Sequence, residues 1–150
     1  MFIFKRVEAQ NFLSFDKLDL ELDGKGLTLV NGRNLTNDSF DGNASGKTSI
    51  FNAIIWGLFG KTPNMLAADD VVNNRAGKNT FVKLYLENNG DTYVIERYRK
   101  HSKFKNTVKF FRGESDLTDK STKDTDKRIV ELFGIDYVTF TNTVFFGQGN

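Results

Sequence analysis

An α/β fold is predicted by three features of the sequence. Period-two alternation of apolar residues marks strands at residues 2–11, again at Leu18, Leu20 and Leu22, and at Val82, Leu84 and Leu86. Leu27-Thr28-Leu29-Val30 is short and apolar, as a buried central strand should be. From Gly46 to Phe59 the chain is apolar almost all round, which is the pattern of a buried helix. Together they predict a mixed sheet packed around one central helix.

The remaining elements can be placed in chain order. Ser14-Phe15-Asp16 separates the first two strands, and Gly24-Lys25-Gly26 is a turn before the third. Residues 35–43 are polar and read as a loop. Gly60, with Pro63 beyond it, stops the helix. A polar connection through Asp69, Asp70, Asn73, Asn74, Arg75 and Gly77 leads to a hairpin, whose turn is Asn88-Asn89-Gly90-Asp91 and whose second arm runs through Tyr93 and Ile95. Val108, Phe110 and Phe111 mark another strand. Ser121 to Phe133 fits an amphipathic helix ended by Gly134, and Asp136 is positioned to cap a last helix through Val138, Phe140, Val144 and Phe145.

Composition narrows the class. With 150 residues the chain is one domain, and 15 phenylalanines against one proline predict an aromatic core and uninterrupted elements. A net charge of +2 is too small to argue for nucleic acid without local clustering. There is no cysteine, so disulfides and thiolate metal sites are excluded, in keeping with an intracellular setting. Met1 to Phe4 is too short for a signal-peptide core. The stretch from Ile50 to Phe59, broken by Asn52, falls far short of the ~20 residues a membrane span requires. The expectation is a soluble, cytoplasmic protein without a membrane partner.

Gly46-Lys47-Thr48 opens the buried helix, downstream of the short apolar strand. That is the setting in which a phosphate-binding loop works. Backbone N–H groups at the helix start face the anion, a lysine reaches the β- and γ-phosphates, and a hydroxyl holds Mg²⁺. The strict spacing is broken, because Asp41 stands where the first glycine belongs. Gly32, at the end of the strand, supplies a first glycine instead, which places nine extra residues inside the loop. Asn34 or Asn43 then fills the loop's asparagine position, and residues 43–47 are the better local match. Asp38 and Asp41 would repel a triphosphate, so they should face solvent or help hold the metal. The bland alternative is a chance tripeptide in a surface turn, which the flanking strand and helix argue against.

Residues 4–15 (FKRVEAQNFLSF), 26–32 (GLTLVNG) and 43–54 (NASGKTSIFNAI), in that order, resemble the start of SbcC/SMC-type DNA-repair ATPases. Residues 56–61 (WGLFGK) are similar to the segment just after the phosphate loop in the repair branch. The long polar insert looks most like the bacteriophage recombination-endonuclease large subunits. Residues 144–149 (VFFGQG) resemble that family's Q-loop. The resemblance runs over essentially all of residues 1–150 and implies an ABC-ATPase-like N-terminal lobe of a P-loop NTPase. It implies ATP and Mg²⁺ as cofactors, with two heads sandwiching two ATPs. It also implies an SbcD-type nuclease subunit as partner and double-stranded DNA ends as substrate.

Roles carry over by position. Lys47 would neutralise the β/γ-phosphates and Thr48 would ligate Mg²⁺. Ser49 and the N–H groups of Ala44, Ser45, Gly46, Lys47, Thr48 and Ser49 would cradle phosphate oxygens, while Gln148 would join the metal shell and sense the γ-phosphate. Many relatives carry a basic residue after the Asn-Phe pair, where this chain has Leu13. Arg6 or Arg33 would have to compensate, or the contact is absent. In family order, the groups that complete hydrolysis come after the Q-loop. Residues 1–150 alone are therefore expected to bind nucleotide poorly and not to turn it over.

Three further features involve charge. Arg97, Arg99, Lys100, Lys103, Lys105 and Lys109, interleaved with Tyr98, His101 and Phe104, read first as a solvated hairpin end. The alternative is contact with DNA phosphates, with the aromatics stacking on bases. His101 has no metal-ligand partner nearby in sequence, and Asp116, Asp119, Asp124 and Asp126 read as a solvated, charged helix start. Two rival functions remain at this level: another P-loop enzyme, such as a GTPase or small-molecule kinase, and a DNA-binding module that keeps the fold without catalysis. An Asn-Lys-x-Asp guanine motif is absent from the sequence.

Overall fold

The computed structural model describes residues 2–22, 44–62, 67–134 and 136–140, with Phe2 and residues 44–49 as backbone alone. The predicted strand at 27–30, the loop at 35–43 and the Q-loop segment lie outside the described residues.

Six strands form one sheet, in the order β2-β1-β3-β4-β5-β6. They are β1 (Phe2–Phe12), β2 (Phe15–Glu21), β3 (Thr80–Asn88), β4 (Asp91–Arg99), β5 (Val108–Arg112) and β6 (Ser115–Asp116). Each described pairing is antiparallel. The short β6 was not legible in the sequence, because two residues carry no periodicity. Three helices complete the described fold: α1 (Ala44–Phe59), α2 (Thr122–Phe133) and α3 (Tyr137–Phe140). A 3₁₀ turn, Ala68–Val71, lies in the connection read from sequence as irregular.

The alternation read from sequence sets which face is dry. Phe4, Val7 and Ala9 of β1, Val82, Leu84 and Leu86 of β3, Tyr93 and Ile95 of β4, and Phe110 of β5 are all buried. α1 packs on that face, and its buried positions run unbroken from Ile50 to Leu58. Ile54 and Ile55 are 1% and 0% exposed, and each contributes about 2 kcal/mol by removing its side chain from water. Gly57 is where the helix comes closest to the sheet. A Cβ placed there would sit 2.9 Å from Leu84 Cδ1 and 3.0 Å from Val82 Cγ1.

Local chemistry ends each element. Asn89 (φ 55°) and Gly90 (φ 87°) form the two-residue turn between β3 and β4, where both central residues need positive φ. The Ser121 hydroxyl accepts from the Asp124 N–H at 3.1 Å and caps α2, which closes on a left-handed Gly134. The Asp136 carboxylate accepts from the Thr139 N–H at 2.8 Å and so caps α3, as expected. The extension of that helix through Val144 and Phe145 lies outside the described residues.

Candidate functional site

α1 begins at Ala44, so Gly46, Lys47 and Thr48 occupy its first two turns of backbone. N–H groups at a helix start have no carbonyl partner within the helix, and they carry the positive end of its dipole. No acidic residue stands in the first turn to offset that charge. Helix ends of this kind attract anions in general. Gly32, Asn34, Asn43 and Gln148 lie outside the described residues, as do Asp38, Asp41 and Arg33.

The far end of α1 is fixed by contacts no sequence pattern announced. Arg97, on β4, is buried. Its Nε donates to the Gly57 carbonyl at 3.1 Å and its Nη2 to the Leu58 carbonyl at 3.2 Å. Nη2 also meets Asp126 Oδ1 of α2 at 2.6 Å. The guanidinium thus places a positive charge on the carbonyl end of α1, where the helix dipole favours it. Gly60, at φ 74°, gives its N–H to Trp56 O at 2.7 Å and leaves room for this side chain. Trp56 in turn rests against Phe12 of β1, with centroids 5.4 Å apart. The helix that opens on Gly46-Lys47-Thr48 packs against β1, β3, β4 and α2.

These contacts, and those of Arg6, correct three readings made from sequence. Arg97 is no part of a DNA-facing cluster, since it is committed to Asp126 and the α1 carbonyls. Asp126 is its partner rather than a solvated helix-start charge. Tyr98 is 4% exposed, so it offers no face to a nucleic-acid base. Arg99 is drawn to Asp69 at 2.7 Å. Arg6 is not the residue that compensates for Leu13: it makes a two-pronged contact with Asp19, at 2.8 and 2.7 Å, on the sheet face opposite α1.

Leu13 itself lies in a tightly held corner. Its N–H donates to Val71 O at 2.7 Å, and its carbonyl accepts from the Asn73 side chain at 2.8 Å. Asn73 is buried and also accepts from the N–H groups of Arg75 and Ala76, so one amide binds the β1–β2 turn to the segment before β3.

Lys100, Lys103 and Lys105 remain exposed at the β4–β5 end, and none forms an ion pair among the described residues. The turn is built on His101. Its Nδ1 accepts from the N–H groups of Lys103 and Phe104, both at 3.1 Å, so in the neutral ring the proton sits on Nε2. Partial burial lowers the His101 pKa below its ordinary value, and Lys103 and Lys83 lower it further. Among the described residues, no three His, Cys, Asp or Glu side chains gather as metal ligands. No helix among them is long and apolar enough to cross a membrane.

Comparison with known proteins agrees with the architecture. The family described as AAA domain matches residues 6–150. The chain belongs to that family. As an AAA domain it is of the SbcC/SMC type, with the α/β fold of that type's N-terminal ATPase lobe. It is 30% identical over 148 residues to exonuclease subunit 2 of Enterobacteria phage T4, covering 97% of this chain and 24% of that protein. It is 30% identical over 150 residues to the DNA double-strand break repair Rad50 ATPase of Sulfurisphaera tokodaii, covering 98% of this chain and 16% of the relative. The chain thus spans a quarter or less of these two relatives. Among solved structures, that of the recombination mediator protein RecF–ATP superposes with a TM-score of 0.53 at 18% identity, over 80% of this chain and 29% of that one. That likeness bears on the fold alone.

Proposed function

We propose that this AAA domain binds ATP with Mg²⁺ at the start of α1. As one lobe of a two-headed ATPase, it would power the processing of double-stranded DNA ends by an SbcD-type nuclease subunit, in the cytoplasm of the cell or of a phage-infected host. The observation that carries the reading is Gly46-Lys47-Thr48 in the opening turns of a buried helix with no acidic residue in its first turn. The names of the relatives, a phage exonuclease subunit and Rad50 repair ATPases, support the DNA-end setting.

In this proposal the backbone N–H groups of residues 44–49 hold the phosphate oxygens, with Gly46 allowing close approach. Lys47 supplies the charge that offsets the β- and γ-phosphates. Thr48 and Gln148 would hold the metal, which supplies further charge neutralisation on the γ-phosphate during transfer to water. Gly32 and either Asn34 or Asn43 would form the rim, with Ala44 and Ser45 leading into the helix. Arg97 and Gly57 keep the helix from shifting as charge builds at its other end.

Calorimetric titration of ATP into the complete two-headed protein of this proposal, and into its Lys47→Ala variant, tests the reading. Tight binding lost in the variant, with folding retained, is the expected result. Equal affinity in both would remove the phosphate-loop assignment, and trinitrophenyl-ATP binding separates a nucleotide-free DNA module from it.

A second reading concerns the β4–β5 turn. Three exposed lysines without acidic partners among the described residues favour contact with DNA phosphates over a balanced, solvated loop.

A further inference from the structure

The turn from Lys100 to Thr107 is ordered to an extent that a solvated loop does not require. His101 and Lys105 exchange both backbone hydrogen bonds, at 3.1 and 2.9 Å. Lys100 (φ 50°) and Lys105 (φ 58°) both adopt left-handed backbone, which glycine or asparagine takes up more readily. The Asn106 side chain accepts from the Lys100 N–H at 2.8 Å, and Asn79 accepts from the Ser102 N–H at 2.7 Å. Lysines are thus held where their backbone is disfavoured, by side chains dedicated to the task.

His101 does most of the holding. Besides accepting from two N–H groups, its ring stacks on Phe104 at 5.2 Å and meets Tyr98 edge-on at 4.9 Å. Phe104 also packs against Tyr98 at 4.6 Å. The Phe104 ring then gathers two ammonium groups, Lys109 at 4.1 Å from its centroid and Lys103 at 5.2 Å. Remove the histidine and both the backbone of residues 103–104 and the ring that collects the lysines lose their support.

We infer that His101 is the positioning residue of a DNA-backbone contact, in which its Nδ1 acceptor and ring fix the turn so that Lys103, Lys105 and Lys109 present one preformed cationic surface. This rests on the reading of the turn as DNA-facing. A preformed surface binds without ordering three flexible side chains at the moment of contact, so the histidine acts on affinity while touching no phosphate.

The test uses a short blunt-ended DNA duplex and the intact chain, with affinity measured across a range of salt concentrations. His101→Ala should weaken binding and flatten the salt dependence by about 0.9 for each lysine displaced. Asn carries an acceptor oxygen near the Nδ1 position, so His101→Asn should restore most of the slope. His101→Phe keeps a ring without the acceptor and should not restore it. The Asn and Phe variants decide the matter if the alanine variant does not fold. A Lys103→Gln/Lys105→Gln variant monitors the underlying reading. A wild-type slope in that variant overturns DNA contact and the positioning role together. A reduced slope there, with a wild-type slope in His101→Ala and His101→Phe, overturns the positioning role alone.

Discussion

Arg97 and Asp126 meet at 2.6 Å across the interface of β4 and α2, and the arginine simultaneously closes the carbonyl end of α1. One buried cation therefore joins three elements. The arginine side chain is 6% exposed and the aspartate 31%, so the pair is only partly screened by water.

Removing one partner of such a pair leaves the other charge in a poor environment. Asp126→Ala is expected to cost about 2 kcal/mol, below the usual range for a fully buried pair because the carboxylate is partly wet. Arg97→Met should cost a comparable amount, since it frees two helix carbonyls. Urea denaturation of both single variants and the double variant checks the coupling. Strict additivity would mean that the two residues stabilise the fold independently.

Gly57 should tolerate no larger residue. Alanine is the better helix former by about 1 kcal/mol, but its methyl would press on Leu84 and Val82 inside a packed core. Gly57→Val adds more bulk with a smaller helix gain and should destabilise by about 2 kcal/mol. A thermal melt no lower than that of the unaltered protein would show that α1 can lift off the sheet at little cost.

At the other end of α1, Lys47→Ala and Thr48→Ala should separate charge from metal holding. The lysine variant should lose ATP affinity whether or not Mg²⁺ is present. The threonine variant should bind ATP in EDTA as the unaltered protein does and gain little when Mg²⁺ is added. Calorimetry with and without the metal reads both. Identical losses under both conditions in the two variants would contradict the division of roles.

His101 gives the fold a pH dependence of known sign. Its folded pKa is lowered from 6.5, chiefly by partial burial, so the folded state favours the neutral ring. The stability linked to the neutral ring is fully present above 6.5 and is lost as pH falls through the lower folded value. The melting temperature of the unaltered protein should therefore drop relative to His101→Asn over that interval. A difference that stays constant with pH would show that the ring does not titrate against the fold.

Much of the fold was legible because its signals are local. Alternation at Val82, Leu84 and Leu86, the Asn89-Gly90 turn, the Ser121 and Asp136 caps and the Gly60 and Gly134 stops each depend on residues a few positions apart. The helix α1 was legible for the same reason, as its apolar run from Ile50 to Phe59 and its Gly60 stop lie close together in the chain. The readings that failed involved charge. Arg97 looks like its neighbours Arg99 and Lys100 in sequence, since nothing nearby tells a buried cation from a solvated one.

By itself, then, the sequence determined the order of the longer described elements, the dry face of the sheet and the span of α1. Periodicity and backbone preference act over a few residues, and that range is written along the chain. The tertiary structure alone decided which charges are spent inside. Arg97 finds Asp126 across 29 positions and Leu13 finds Asn73 across 60, because folding brings distant segments together and burial makes an unpaired polar group costly.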